Sequence, residues 1–245
     1  MRSMLRVAAG VFAHPDDESF SIGGTIAKYA KLGVRWDLFC ATDGDAGRSS
    51  AVPVSSRAEL GALRRNELIA AARFLGVRGA IVARGYPDGE LAEVDPDGLV
   101  GDVVEFLRDV RPDVVITFGP EGAPNAHRDH RAISRAATAA FYLAALPTAY
   151  PEQQRPTHAA ARLYYVSWPP PGSGSPHTIH GVPATARLDV RGELDAKRRA
   201  FLIHATQRDL MDRFELLALN DEEWYALAGG RPQPAPKLDD LFDGL

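Results

Sequence analysis

The chain has a single cysteine, Cys40, so it cannot form an internal disulfide bond. This composition fits a protein of the reducing cytoplasm, and we expect that location. The sequence also lacks any run of about 18 apolar residues, so no membrane-spanning helix is expected. Its formal net charge is −4 over 245 residues and it has no basic run, so nucleic acid is not an expected partner.

The turn after the first predicted strand lacks the glycine pattern of a nucleotide-binding protein. A dinucleotide-binding chain carries G-x-G-x-x-G at this place. Here the apolar run Leu5–Ala13 is followed by "HPDDE", residues 14–18, which contains three consecutive acids. Because carboxylates repel a pyrophosphate, this turn is suited to a different ligand.

Strand and helix patterns alternate through the first 150 residues. Apolar or β-branched runs predict strands, and stretches with helical spacing follow them. The predicted strands are Leu5–Ala13, Val34–Thr42, Gly79–Gly85 and Pro112–Pro120, and the predicted helices are Ile22–Leu32, Arg57–Leu75, Leu99–Val110 and Asp129–Leu146. This order predicts an α/β fold with a Rossmann-like, doubly wound and mostly parallel sheet and helices on both faces.

The pattern changes after Pro147, where the predicted elements become shorter. They are the strands 162–168 and 185–190, the helix Glu193–His204, and a loop at 169–183. We expect a single domain over 1–245, with the Rossmann-like core in 1–150 and a C-terminal elaboration in 151–245. A homo-oligomer is compatible with this organisation, and the sequence does not decide whether loop 169–183 is a mobile lid.

Two clusters of histidine and carboxylate follow the first and fourth predicted strands. His14 and Asp17 lie just past the first strand, and His130 lies at the start of the helix after the fourth. In the common strand order 3-2-1-4 these strands are neighbours, and ligands bind where the order reverses. The sequence therefore predicts that the three side chains hold one metal ion. Two imidazoles and one carboxylate are typical of catalytic Zn²⁺, and also of non-haem Fe²⁺.

Three further residues are candidates for acid–base chemistry. Asp16 adjoins a predicted ligand and is placed to take a proton from water. His127, held by Asp129, is placed to stabilise an oxyanion or to protonate a leaving amine. These parts suit hydrolysis of an amide. The plainer alternative is that the acids only cap a helix and that the second histidine cluster lies at the surface.

Several motifs resemble one known family. "AHPDDE" at Ala13–Glu18, together with the later H-x-D-H at His127–His130, is similar to the PIG-L/LmbE-like metal-dependent N-deacetylases. Supporting stretches are R-x-x-E at Arg64–Glu67, "GYPDGEL" at Gly85–Leu91, K-x-x-A at Lys197–Ala200 and "HATQ" at His204–Gln207. The resemblance covers about residues 5 to 210.

The resemblance implies a Rossmann-like fold, a zinc site, and removal of an acetyl or acyl group from the nitrogen of a glucosamine-type unit. Matched by motif position, the residues receive these roles: His14, Asp17 and His130 as metal ligands, Asp16 as general base, and His127, oriented by Asp129, as the histidine that assists the transition state. The implied substrate is a small amino-sugar conjugate.

The resemblance also implies substrate contacts. Arg64 and Asp88 match positions that contact the sugar. Asn125 stands where some members carry a tyrosine that aids the oxyanion; asparagine can donate a hydrogen bond there but is shorter. None of the loops expected to set specificity indicates which N-acyl substrate is used.

Two rival interpretations use the same residues. An iron(II) enzyme would employ the two-histidine, one-carboxylate set for oxygen chemistry. A sugar-binding or metal-binding module would keep the fold without catalysis. Asp16 favours hydrolysis over both, because neither rival needs a proton acceptor beside the metal ligand.

Overall fold

The computed structural model describes residues 5–168, 181–234 and 239–245. Within these ranges seven strands form one sheet: β1 (Val7–Phe12), β2 (Arg35–Thr42), β3 (Ile81–Tyr86), β4 (Val114–Phe118), β5 (Arg162–Ser167), β6 (Ala186–Asp189) and β7 (Glu222–Gly230). The same ranges contain six α-helices: α1 (Asp17–Lys31), α2 (Arg57–Leu75), α3 (Pro96–Val110), α4 (Arg128–Leu143), α5 (Leu194–Ile203) and α6 (Met211–Leu217).

The sheet has the order β3-β2-β1-β4-β5-β7-β6. Strands β1 to β5 pair in parallel, and β7 pairs antiparallel with both β5 and β6. The predicted doubly wound α/β fold is confirmed, and so is the order 3-2-1-4 in its first half. The C-terminal elaboration extends this sheet.

The two central strands explain why the sheet is covered on both sides. Every residue of β1 ("VAAGVF") and of β4 ("VVITF") is buried, as expected for near-continuous apolar runs in a parallel sheet. Helices α1, α2 and α5 pack together, and α3 packs against α4. Right-handed crossovers place these two groups on opposite faces of the sheet.

The structure differs from the predicted elements in three places. Helix α1 begins at Asp17 rather than at Ile22, and two elements without a predicted counterpart, α6 and β7, lie in the C-terminal region. Most of the predicted loop 169–183, namely 169–180, lies outside the described residues. Among the described helices, none combines the length and the apolar character needed to cross a membrane.

Helix α1 has a kink that is capped from the other end of the chain. Ile22 has a non-helical φ of −135°. The amides of Gly24 and Thr25, which follow the kink, donate to the two carboxylate oxygens of Glu223 on β7 at 2.9 and 2.8 Å. Lys197 Nζ lies 2.7 Å from the same carboxylate, and both charged side chains are buried. The C-terminal strand therefore supplies the hydrogen-bond acceptor that the restarted helix needs.

This arrangement predicts a large loss of stability for Lys197→Met. The substitution keeps most of the volume but leaves the buried Glu223 carboxylate without its counter-charge, so we expect a loss of about 3 kcal/mol in the free energy of unfolding. Urea denaturation measures it. The control is Lys31→Met, whose 61% exposed side chain pairs with Glu193 and which we expect to cost less than about 1 kcal/mol. Equal losses in the two variants would contradict the assigned role of Lys197.

Candidate metal centre

The candidate site lies where β1 and β4 end side by side. His14 lies in the turn after β1 and Asp17 is the first residue of α1, while the first turn of α4, after β4, carries His130. Because parallel strands present their carboxyl ends at one edge of a sheet, the two turns converge as predicted. The sequence motifs are more than a hundred residues apart, and the fold alone brings them together.

Asp17 connects the two histidines. Its Oδ1 lies 3.4 Å from His130 Nε2, and its Oδ2 lies 3.5 Å from His14 Nδ1. The backbone amides of His14 and Ala13 donate to Oδ2 at 2.8 and 3.2 Å, which fixes the carboxylate against the end of β1. Burial alone would raise the pKa of Asp17, but His130 and His14 outweigh it and lower that pKa far below the usual range. Asp17 is therefore an anion that two imidazoles share.

His14 stands at the centre of several carboxylates. Its Nε2 lies 3.2 Å from both Asp88 Oδ1 and Asp129 Oδ2. Burial lowers the pKa of His14, yet the contacts with Asp129, Asp17 and Asp88 outweigh it and raise the pKa well above 6.5. A field that favours a positive charge on a buried imidazole also favours a metal cation in the same place.

His130 is held by packing. Its ring stacks on Phe118 of β4, with the ring centres 3.9 Å apart and the planes 11° from parallel. Its Nδ1 is buried without a hydrogen-bond partner among the described residues. The ring therefore has a fixed orientation, with Nε2 turned to Asp17.

The donor atoms fit a divalent cation. Ring nitrogens of His14, His127 and His130 lie within 4.8 Å of one another, and donor atoms of His14, Asp88 and Asp129 do so as well. Neither group includes Asp17, the predicted carboxylate ligand, which instead contacts His14 and His130 at 3.5 and 3.4 Å. Nitrogen and oxygen donors of this kind suit Zn²⁺ or Fe²⁺, and the set His14, Asp17 and His130 stays a prediction.

Asp16 lies next to this cluster in an uncommon conformation. Its φ is 114°, in a region that residues other than glycine rarely adopt. Its Oδ2 lies 3.2 Å from the guanidinium of Arg64. Burial raises the pKa of Asp16 to about 6, although the positive charge of Arg64 opposes the rise. A carboxylate with that pKa exchanges protons close to neutral pH.

Arg64 approaches the site from α2. It is buried and donates to the carbonyl oxygens of Gly44 at 2.7 Å and Pro15 at 2.6 Å. A Cβ at Gly44, which has a φ of +66°, would lie only 2.4 Å from this guanidinium. Glycine at 44 therefore makes room for Arg64. Glu67, one turn later on the same helix, accepts hydrogen bonds from the backbone amide and the hydroxyl of Thr206.

His127 caps helix α4. Its Nδ1 accepts a hydrogen bond from the backbone amide of Asp129 at 3.2 Å, and Asn125 Oδ1 accepts from the His127 amide at 3.2 Å. Burial and the nearby charges of His14 and His130 lower the pKa of His127. The ring is therefore neutral at neutral pH, and the proton that Nδ1 lacks resides on Nε2.

Asp129 corrects one expectation from the sequence. The motif predicts that its carboxylate orients His127, but the carboxylate accepts from the amides of Gly89 at 2.7 Å and Leu91 at 3.1 Å and contacts His14. The reason is that α4 begins at Arg128, so the side chain at 129 turns towards the loop after β3. Only the backbone of Asp129 bonds to the His127 ring.

Asp88 lies in the same loop after β3. Its Oδ2 accepts from the Ala46 amide at 2.8 Å. Burial would raise the pKa of Asp88, but the contact with His14 outweighs it and lowers the pKa to about 2. Asp88 is therefore ionised and held in place on one side of the cavity.

One cavity of about 350 Å³ connects these side chains. All the predicted site residues line it except Asp129, which lies beneath His14. One wall of the cavity was not predicted; it is formed by Phe20, Gln207, Leu210, Arg213 and Leu217. The spacing of 210, 213 and 217 places these three side chains on one face of a helix, and this is the signal that the sequence offers.

A known protein family matches the part of the chain that carries both histidine clusters. The family described as "PIG-L: GlcNAc-PI de-N-acetylase" matches residues 10–141, a span that includes both histidine clusters. The chain belongs to this family. The resemblance stated for "AHPDDE" and H-x-D-H is thereby confirmed.

Two relatives extend the PIG-L similarity over most of the chain. A 1D-myo-inositol 2-acetamido-2-deoxy-alpha-D-glucopyranoside deacetylase from Rhodococcus opacus is 32% identical in an alignment that, with its gaps, is 236 positions long and covers 80% of this chain and 80% of that protein. A protein of the same name from Rhodococcus jostii is 30% identical in an alignment that, with its gaps, is 285 positions long and covers 96% of this chain and 97% of the relative. The C-terminal elaboration is thus part of the shared sequence.

Solved structures share the fold at lower identity. An N,N'-diacetylchitobiose deacetylase from Pyrococcus horikoshii has a TM-score of 0.75 at 22% identity, covering 92% of this chain and 84% of that one. GalB, a 4-carboxy-2-hydroxymuconate hydratase from Pseudomonas putida, has a TM-score of 0.76 at 19% identity, covering 95% and 100%. One architecture therefore serves more than one reaction, and function must be argued from the site.

The geometry predicts that His130→Ala abolishes tight metal binding. Removing one of the three predicted ligands should weaken Zn²⁺ binding by at least about 100-fold, because even supporting residues around a metal contribute roughly 10- to 100-fold. Isothermal titration of the chelator-treated protein with Zn²⁺ measures the affinity. The control is His158→Ala, which removes an imidazole that contacts Pro112 and does not line the cavity. One Zn²⁺ bound equally tightly by both variants would contradict the site.

Proposed function

We propose that this protein is a metal-dependent hydrolase that removes an acetyl group from the nitrogen of an N-acetylglucosamine-type conjugate. One observation carries the proposal: the buried Asp17 carboxylate lies between His14 and His130, with Asp16 beside it in the same cavity. The deacetylases among its PIG-L relatives support the substrate class. The bond broken is a linear C–N amide bond.

Zn²⁺ is the metal that we propose, held by His14, Asp17 and His130. When bound, Zn²⁺ supplies a Lewis acid and lowers the pKa of water to about 7. Fe²⁺ suits the same donors. Hydrolysis does not require a redox metal, so Zn²⁺ is the simpler assignment.

Asp16 is the proposed general base. With a pKa raised to about 6, it is mostly ionised at neutral pH and accepts a proton as water adds to the amide carbonyl. The same proton is then available for the amine nitrogen as the C–N bond breaks. Arg64 keeps the carboxylate ionised by holding Oδ2 at 3.2 Å.

His127 is the proposed partner of the carbonyl oxygen. Because its Nδ1 accepts from the Asp129 amide, the neutral ring carries its proton on Nε2 and can donate to an oxygen that gains negative charge. Asn125 fixes the turn that carries His127. Because its Oδ1 is engaged in that turn, the side-chain NH₂ group of Asn125 is the part proposed to contact the substrate.

The proposed sugar contacts are Asp88, Arg64 and Asn125. Ionised Asp88 accepts hydrogen bonds from sugar hydroxyls, and Arg64 donates where its backbone contacts leave a free N–H. The substrate is a small amino-sugar conjugate. The cytoplasmic location, a single domain over 1–245 and homo-oligomer formation remain predictions from the sequence, which does not indicate the acceptor group.

Neither of the two alternatives, the iron(II) oxygenase and the non-catalytic module, is favoured. The relatives are named as deacetylases, and neither alternative uses the raised pKa of Asp16. An oxygenase would consume oxygen when loaded with Fe²⁺, whereas a hydrolase would release a free amine.

The proposal predicts that Asp16→Asn lowers kcat by about 100- to 10,000-fold, the usual contribution of general acid–base catalysis. Metal content and KM should change little, because Asp16 is not a proposed ligand. The assay measures free amine released from N-acetylglucosaminyl inositol and from N,N'-diacetylchitobiose.

The matched control is Asp109→Asn, which removes a surface carboxylate that pairs with Arg155 away from the cavity. Its kcat should equal that of the unmodified protein. If the zinc-loaded protein releases no amine from any acyl amino sugar, the proposed substrate class is wrong. If Asp16→Asn leaves kcat unchanged, the assigned base is wrong.

A further inference from the structure

Asp16 needs support from its surroundings. Its backbone has φ 114° and ψ −24°, which residues with a Cβ rarely adopt. Such a conformation persists only where neighbouring groups fix it. The groups that fix Asp16 are therefore part of what holds the proposed base in place.

A buried carboxylate holds the amide of Asp16. Glu18 Oε2 accepts from that amide at 3.0 Å. Glu18 Oε1 in turn accepts hydrogen bonds from Ser19 Oγ at 2.6 Å and from His204 Nε2 at 2.8 Å. Glu18, Ser19 and His204 are at most 1% exposed. A continuous hydrogen-bonded path thus runs from His204 to the Asp16 backbone.

The other side of Asp16 is held through α2. Arg64 binds the Asp16 carboxylate and the Pro15 carbonyl. One turn later on α2, Glu67 accepts from the Thr206 amide at 2.9 Å and from Thr206 Oγ1 at 2.6 Å. The R-x-x-E motif therefore has two functions, since its arginine reaches the site and its glutamate binds the C-terminal segment.

Both paths start from residues 204–206. His204 and Thr206 are 0% and 1% exposed, and neither lines the cavity. They cannot contact a substrate. Ser19, Glu18 and His204 do not form a nucleophilic triad either, because Ser19 is buried and lies 3.5 Å from the imidazole while it donates to Glu18.

We propose that His204 and Thr206 are positioning residues for Asp16. His204 fixes Glu18, which holds the Asp16 amide, and Thr206 fixes α2 through Glu67, so that Arg64 meets the Asp16 carboxylate. This assignment rests on the proposed function in one respect: it takes Asp16 to be the general base that accepts a proton from water.

A double-mutant cycle tests the assignment. His204→Leu should lower kcat about 10- to 100-fold, with KM and zinc content within about twofold, because the base is misplaced while the ligands remain. His204→Gln should recover activity to within about threefold, since its Nε2 amide can reach Glu18. In the Asp16→Asn background, His204→Leu should cost less than about twofold, because the group that it positions is already gone.

Thr206→Val and Thr206→Ser form a second, independent pair. Valine keeps the shape of the threonine side chain but removes the hydroxyl that donates a hydrogen bond to Glu67, so kcat should fall about threefold to tenfold. Serine restores the hydroxyl and should restore kcat. If His204→Leu does not fold, the two Thr206 variants test the same assignment.

Three outcomes would overturn the assignment. The first is that His204→Leu lowers kcat by the same factor with and without the Asp16→Asn substitution. The second is that the loss of kcat parallels a loss of bound zinc. The third is that His204→Gln has a kcat as low as that of His204→Leu. A crystal structure of His204→Leu gives a readout without activity, since an unchanged positive φ at Asp16 would also overturn it. If the unmodified protein releases no amine, the proposed function fails, and this structure still decides the role of His204.

Discussion

The shared carboxylate of Asp17 is the interaction on which the site depends. It is anchored by two backbone amides at the end of β1 and faces an imidazole that α4 supplies after β4. A buried anion is stable only when it is paired and hydrogen-bonded, so Asp17 requires both histidines to be in place. That condition is met only when β1 and β4 are adjacent, which ties the chemistry of the site to the strand order of the sheet.

Around this centre, each reactive side chain is held by groups that do not react. Phe118 fixes the plane of His130, and the start of α4 fixes the ring of His127. Arg64 uses backbone carbonyls to reach Asp16, and glycine at 44 leaves the space for it. The supporting groups come from both halves of the chain. Such support matters because catalytic groups must be held in their productive geometry before the substrate arrives.

The sequence predicted what depends on local pattern and on strand order. Apolar runs indicated β1 to β4, and the two histidine motifs placed His14, Asp17 and His130 at one edge of the sheet. Long-range contacts escaped prediction. The Asp129 carboxylate meets Gly89 and His14, and β7 pairs between β5 and β6. No local spacing encodes such partners, since each depends on elements that meet only in the folded chain.

The cap on α1 has a consequence for how the chain is made. The carboxylate that binds the Gly24 amide belongs to a residue 199 positions later. At about 5 to 20 residues per second, a ribosome needs roughly 10 to 40 seconds to add that many residues. Throughout that interval the backbone amides of Gly24 and Thr25, just after the kink in α1, lack the Glu223 carboxylate that accepts their hydrogen bonds. The first helix therefore gains these two hydrogen bonds only after β7 has been synthesised, so part of the amino-terminal half waits for a C-terminal strand.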